Sequence, residues 1–309
     1  MRAADQQLRE LAVRYVHRGL QYPETPAVRV HAIEASADVL GAEGRVLLRK
    51  GLKDEHPAVR FAALIALGRV KDPDAREDIR ALTLDRNPHV RIGAYFAMER
   101  LGDPSYRGLW ADLLRRHEDP AVRRNAALAL GQLEDERVMA LLSAAASTDK
   151  DEGVRLQALE GMAMLGNPEA ISRFLQDSFG GTGYHQPFAL LTLGHVDDAR
   201  IPPALRTRLE AAPYLEARLA AARSLGSLGY HDGYGLALRS LNWNSVRPDV
   251  PDDPPENQIM RVRTMAALAL GEIGDRQALP VLKQRMETPD DPRVQLAAAT
   301  AILMILDRA

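Results

Sequence analysis

The sequence predicts an all-α protein, a right-handed α-solenoid of about nine helical hairpins, and three observations predict it. One phrase returns along the chain, as HPAVRFAALIALG from His56, NPHVRIGAYFAME from Asn87, DPAVRRNAALALG from Asp119 and IMRVRTMAALALG from Ile259. Its arginine marks Arg29, Arg60, Arg91, Arg123, Arg155, Arg218 and Arg263, with Gln186 and Gln295 in two copies, at steps of 31 or 32 residues and one of 45. Three residues after the marker all nine copies carry alanine, from Ala32 to Ala298. Valine one before the marker and aliphatic residues seven and ten after it share one face of a 3.6-residue helix.

The elements follow in order. Residues 1–25 read as an N-terminal capping helix, with Leu8, Leu11, Tyr15 and Val16 on one face. Each marker helix is preceded by a second amphipathic segment, such as GRVLLRKGLK, EAISRFLQDSF or ALPVLKQRM, and a short Asp- and Pro-rich turn joins the two. Proline suits the first helical turn, where its missing donor costs nothing. Gly102, Gly166, Gly229 and Gly274 stand between hairpins, where a left-handed cap ends one helix. The marker alanine lets neighbouring helices approach closely. A hairpin of this size cannot bury its apolar face alone, so stacking stabilises it, and residues 1–309 read as a single array.

Composition narrows the function. Forty basic residues against 42 acidic ones give a net charge of −2, which offers no general attraction to nucleic acid. Cysteine is absent, which removes disulfides, thiolate nucleophiles and cysteine metal sites. No stretch approaches the roughly 20 apolar residues that span a bilayer. The N-terminal segment lacks the unbroken apolar core of a signal peptide. That tilts the expectation slightly toward the cytoplasm, leaves a processed exported protein open, and assigns no compartment.

The repeat resembles the HEAT-repeat family, most closely the short HEAT-like class also seen in phycobilin lyases, over residues 26–309. The resemblance implies that the arginines and an aspartate six residues earlier, in the turn, form ladders between repeats. Asp54, Asp85 and Asp149 match Arg60, Arg91 and Arg155 in this way. The match fails at Arg123, preceded by His117, and at Arg218, preceded by Ala212. Each intact charged bond should contribute roughly 1.5 to 3 kcal/mol where shielded from water.

The resemblance also implies that second helices line the concave side. Positions one and five after the marker point away from the buried alanine, and eleven of these eighteen are apolar. This predicts a hydrophobic groove, densest around Phe61, Ile65, Ile92, Phe96 and Leu128 and continued by Leu156 and Leu191. Such a groove suits a partner protein's amphipathic helix or extended peptide. The competing expectation is that coiling of the array turns these side chains into core.

Two segments break the pattern. Gly180, Gly181 and Gly183 read as a hairpin turn, since no P-loop lysine or hydroxyl accompanies them. The long step comes from an insertion at 242–258, NWNSVRPDVPDDPPENQ, whose prolines and aspartates are expected to forbid a helix. Trp243 and Arg247 are its candidate protein contacts. The final helix, VQLAAATAILMILDRA, is unusually apolar for a terminal repeat, so a second copy of the chain, a homo-oligomer, is one candidate to cover it.

Catalysis finds little support. Deoxyhypusine hydroxylase, a HEAT-like enzyme, holds two irons with repeated His-Glu pairs, and this chain has one such pair, His117-Glu118. His56, His89 and His117 sit on hairpins about 10 Å apart, too far for one metal. No zinc-protease, nucleophile-elbow or Walker motif is present. The sequence therefore predicts a non-catalytic scaffold with a protein partner, without cofactor or metal. A phycobilin-lyase-like chromophore enzyme is the alternative, and a HEAT-like DNA-binding protein a more distant one.

Overall fold

The computed structural model describes residues 3–180, 185–246 and 253–308. Among them the chain forms eighteen α-helices and no strand. In chain order these are α1 Ala3–Leu20, α2 Pro26–Val39, α3 Gly41–Gly51, α4 Pro57–Arg69, α5 Arg76–Leu82 and α6 Pro88–Arg100. Next come α7 Arg107–Arg116, α8 Pro120–Gly131, α9 Met139–Thr148, α10 Glu152–Met164, α11 Pro168–Gly180 and α12 His185–Leu193. The last six are α13 Ile201–Ala211, α14 Leu215–Ser227, α15 Tyr234–Ser240, α16 Pro255–Ile273, α17 Leu279–Glu287 and α18 Pro292–Asp307. Even-numbered helices from α2 onward carry the repeat marker. No described helix is long and apolar enough to cross a membrane.

Local chemistry sets the helix boundaries. α4, α6, α8 and α18 begin with proline, and the residue before each caps the first turn. His56 accepts from the Ala58 amide, Asn87 from His89, Asp119 from Ala121 and Asp291 from Arg293. At the other end, Gly102, Gly166, Gly229 and Gly274 adopt φ between +77° and +90°, the left-handed conformation in which a Cβ would be strained. Lys71 and Glu134 take the same conformation at φ 48° and 57° without being glycine. Asp72, Asp103, Asp135 and Asp275 then cap the 3₁₀ turn that leads into the next hairpin. The insertion departs from expectation. α16 starts at Pro255, inside the 242–258 segment, because proline is accommodated at a helix's first position.

The contacts group the chain into two compact units, Leu20–Ala170 and Met1–Gly19 with Ile171–Ala309. In the first, α2, α4, α6, α8 and α10 lie side by side, and α3, α5, α7 and α9 each pack on the marker helix that follows. All nine marker alanines of the chain are at most 1% exposed. Close approach depends on glycine at two places. A Cβ on Gly131 would come 2.5 Å from the Gly161 Cα, so α8 and α10 nearly touch backbones. A Cβ on Gly68 would meet the Phe96 ring at 2.5 Å.

In the second unit α12, α14, α16 and α18 form the corresponding row. α18 buries Leu296, Ile302, Leu303, Ile305 and Leu306, none more than 8% exposed. These apolar side chains, for which a second copy was one candidate cover, are thus buried within the chain itself. α1 flanks the last hairpin, with Asp5 bonded to Arg276 at 2.7 Å and Arg9 3.8 Å from Asp307. Its buried side is Ala12, Val13 and Val16.

Candidate functional site

The marker arginines tie each turn to the next hairpin. Arg60 Nη1 donates to the carbonyls of Asp54 and Glu55 in its own turn, while Nη2 reaches both oxygens of Asp85 in the next. Arg29 holds Asp54 at 2.8 and 3.0 Å, Arg123 holds Asp149 at 2.8 Å through both Nε and Nη2, and Arg263 holds Asp290 at 2.9 Å. These hydrogen bonds raise Arg29 and Arg123 above the usual guanidinium range, and the bond from Arg123 pulls Asp149 down. The aspartate also accepts the amide two residues on, which fixes the turn: His56 onto Asp54, Asn87 onto Asp85, Asp151 onto Asp149. Gln186 and Gln295 keep the turn half of the arrangement, donating to Ser178 and to Met286 and Thr288 carbonyls.

The expected break in this row moves by one hairpin. His117 precedes Arg123, yet Arg123 is fully engaged, because it needs only the carbonyls of His117 and Glu118 behind it. The arginine affected is Arg91, whose forward position is His117. Arg91 and Arg155 both hold their own turns, Arg91 through the carbonyls of Asp85 and Arg86, Arg155 through those of Asp149 and Lys150. The forward position of Arg155, six residues before Gln186, is Gly180, which offers no side-chain acceptor.

The apolar positions divide. Ile92 and Phe96 are 0% exposed and Ile65 8%, so these three are core and not the surface of a groove. The reason is the glycine pairing: with no side chain on Gly68, the Phe96 ring fills the space between α4 and α6. Phe61, Leu128, Leu156 and Leu191 are half-buried. Phe61 lies against Gly93, where a Cβ would come within 3.2 Å of its ring. The exposed apolar side chains are elsewhere, among them Leu84 at 87% and Leu109 at 49%. Burial and repeat position alone did not signal them.

Trp243 is half-buried, and its carbonyl accepts from Arg263 Nε at 2.8 Å. It lines a hollow of about 240 Å³ with Tyr214, Leu215 and Val262. Arg247, Gly181 and Gly183 lie outside the described residues. The strongly shifted acids are structural: Arg137 holds Asp135, the cap of a 3₁₀ turn, at about 2, and Arg200 holds Asp198, which accepts the Arg200 amide in the turn before α13, at about 2. His56 and His117 accept backbone amides through Nδ1, and His89 Nδ1 lies 3.0 Å from Asn125. Burial lowers His89. Among the described residues no three His, Asp or Glu side chains are grouped so as to hold a metal ion.

A family model of HEAT repeats matches residues 45–109, 108–178 and 256–302, more than half of the chain. The chain belongs to the HEAT-repeat family. Similar solved structures include human deoxyhypusine hydroxylase, 16% identical with a TM-score of 0.40 and covering 98% of both chains. Another is the complex of CpcE and CpcF of phycocyanin lyase from Nostoc sp. PCC7120, 19% identical, TM-score 0.41, covering 83% of this chain and 93% of that one. An engineered protein is 14% identical with a TM-score of 0.32, covering 96% and 98%. No curated protein matches the sequence. In this HEAT-repeat array the arginines and aspartates hold the hairpins in register, and the half-buried apolar positions are what the second helices present.

Proposed function

We propose that this HEAT-repeat array is a non-catalytic scaffold that holds a partner protein along the second helices α4 to α10. One observation carries the reading. Phe61, Leu128 and Leu156 keep part of their apolar surface exposed on that row, while Ile65, Ile92 and Phe96 beside them are withdrawn into the core. A partner helix or extended segment would bury the remainder, through a few aliphatic and aromatic anchors on a rigid support. The shifted acids support the same reading, since Asp135 and Asp198 are salt-bridged to neighbouring arginines in turns and are not poised to exchange protons near neutral pH.

The test is capture from lysate of the source organism, with wild type beside Phe61→Glu/Leu128→Glu verified as helical by circular dichroism. The scaffold reading expects a protein captured by wild type and lost by the variant. Equal capture by both would move the interface off this row. Recovery of a pigment or of nucleic acid in place of protein would favour the lyase-like or DNA-binding alternative.

A further inference from the structure

Two neighbouring hairpins build corresponding hollows that differ in their polar lining. Around Arg123 a hollow of about 440 Å³ is lined by Leu141, Ala145, Thr148 and Asp149. One repeat earlier, around Arg91, a hollow of about 390 Å³ is lined by Leu109, Leu113, Arg116, His117 and Tyr95, which hydrogen-bonds Arg91. Apart from Tyr95, these lining residues correspond at a spacing of 32. In the first, the carboxylate of Asp149 receives Arg123 in a two-pronged bond at 2.8 Å on each side. In the second, the corresponding residue is His117, and among the described residues no carboxylate bonds Arg91.

His117 retains one of the two duties of the aspartate. Its Nδ1 accepts the Asp119 amide at 3.2 Å, as Asp149 accepts the Asp151 amide at 2.9 Å. The turn is thus kept and the forward acceptor is dropped. With Nδ1 accepting, the proton of the neutral ring is on Nε2, so a donor stands where the next hairpin has two acceptors. Arg116 adds a second cation, and the one acid of the lining, Asp112, lies 4.0 Å from Arg116. Leu109, half in solvent, supplies an apolar wall.

We propose that the hollow at Arg91 receives a carboxylate side chain of a partner polypeptide, held by the Arg91 guanidinium beside the His117 Nε2–H. Among the described residues Arg91 has Tyr95 as a hydrogen-bond partner but no carboxylate, and a guanidinium without a carboxylate beside the His117 Nε2–H and Arg116 suits charge-assisted carboxylate recognition. That the carboxylate comes from a polypeptide rests on the scaffold reading.

The experiment follows the Arg91 Nε–Hε resonance, assigned by its loss in Arg91→Gln, during titration with N-acetyl-Leu-Asp-N-methylamide. The Asn counterpart of that peptide, acetate and inorganic phosphate serve as comparison probes. The Asp peptide is expected to give a saturable shift, with the Asn peptide about tenfold weaker or worse. His117→Asp completes the bond within the chain and should abolish the titration while raising the melting temperature. His117→Asn keeps the turn acceptor without a carboxylate and should still titrate. Equal shifts by the Asn peptide, an unchanged titration in His117→Asp, or no shift at all would overturn the proposal. Phosphate binding more tightly than the Asp peptide and acetate would also overturn it, in favour of a phosphate site. Acetate binding without the Asp peptide would overturn the polypeptide source. Because free peptides are the probes, this result stands apart from lysate capture by Phe61→Glu/Leu128→Glu.

Discussion

Arg123 makes four hydrogen bonds, two to carbonyls of its own turn and two to Asp149, whereas Arg91 bonds its turn carbonyls and Tyr95 but no carboxylate among the described residues. We expect Arg123→Ala to lower the unfolding free energy by about 1.5–3 kcal/mol more than Arg91→Ala, read from urea unfolding. Acid should reveal the same chemistry. Asp135 and Asp198 sit at about 2 in the folded chain, below an ordinary carboxylate, and Asp149 is lowered as well. Their stabilisation is complete above about pH 4 and is lost as pH falls through the folded value. The urea midpoint should therefore drop between about pH 4 and pH 2, and Asp135→Asn should flatten part of that drop. The arginine and aspartate rows were legible in the sequence from spacing. Which aspartate each arginine takes was not, because partners about 25 residues apart meet only after hairpins stack, and the gaps consequently fall at Arg91 and Arg155.

At the scale of the helix, close packing decides which apolar side chains are core. Gly131→Ala places a methyl 2.5 Å from the Gly161 Cα, and backbone cannot yield as a side chain can. That substitution should destabilise by about 1–3 kcal/mol through overpacking. Phe96→Ala should cost about 3–5 kcal/mol, and half-buried Phe61→Ala clearly less, both measured by chemical denaturation. The helices themselves were legible, since Ala32 through Ala298 kept one face in phase and Gly102, Gly166, Gly229 and Gly274 closed helix ends as expected. Lys71 and Glu134 were not, because the left-handed link they form is signalled only by the capping aspartate that follows. The burial of Ile92 and Phe96 escaped because Gly68, though it closes the repeated phrase HPAVRFAALIALG, does not say what fills the space it leaves, which the Phe96 ring does only once α4 and α6 pack.

For the whole chain, the two compact units make stability a local property. α1 belongs by contact with the C-terminal hairpins, and its exposed salt bridges contribute about 1 kcal/mol or less each, so Ala12, Val13 and Val16 supply most of its hold. Deleting residues 3–19 should speed amide exchange in α17 and α18 and leave α4 and α6 as they were. Chain order did not foretell this grouping, since the first and last helices are neighbours in space only. The claim that the second helices hold a protein is tested most directly by hydroxyl-radical footprinting of the chain with and without its captured partner. Phe61, Leu128 and Leu156 are expected to be labelled in the free chain and protected in the complex, with Ile92 and Phe96 silent in both. Unchanged labelling of Phe61, Leu128 and Leu156 when the partner is bound would contradict it.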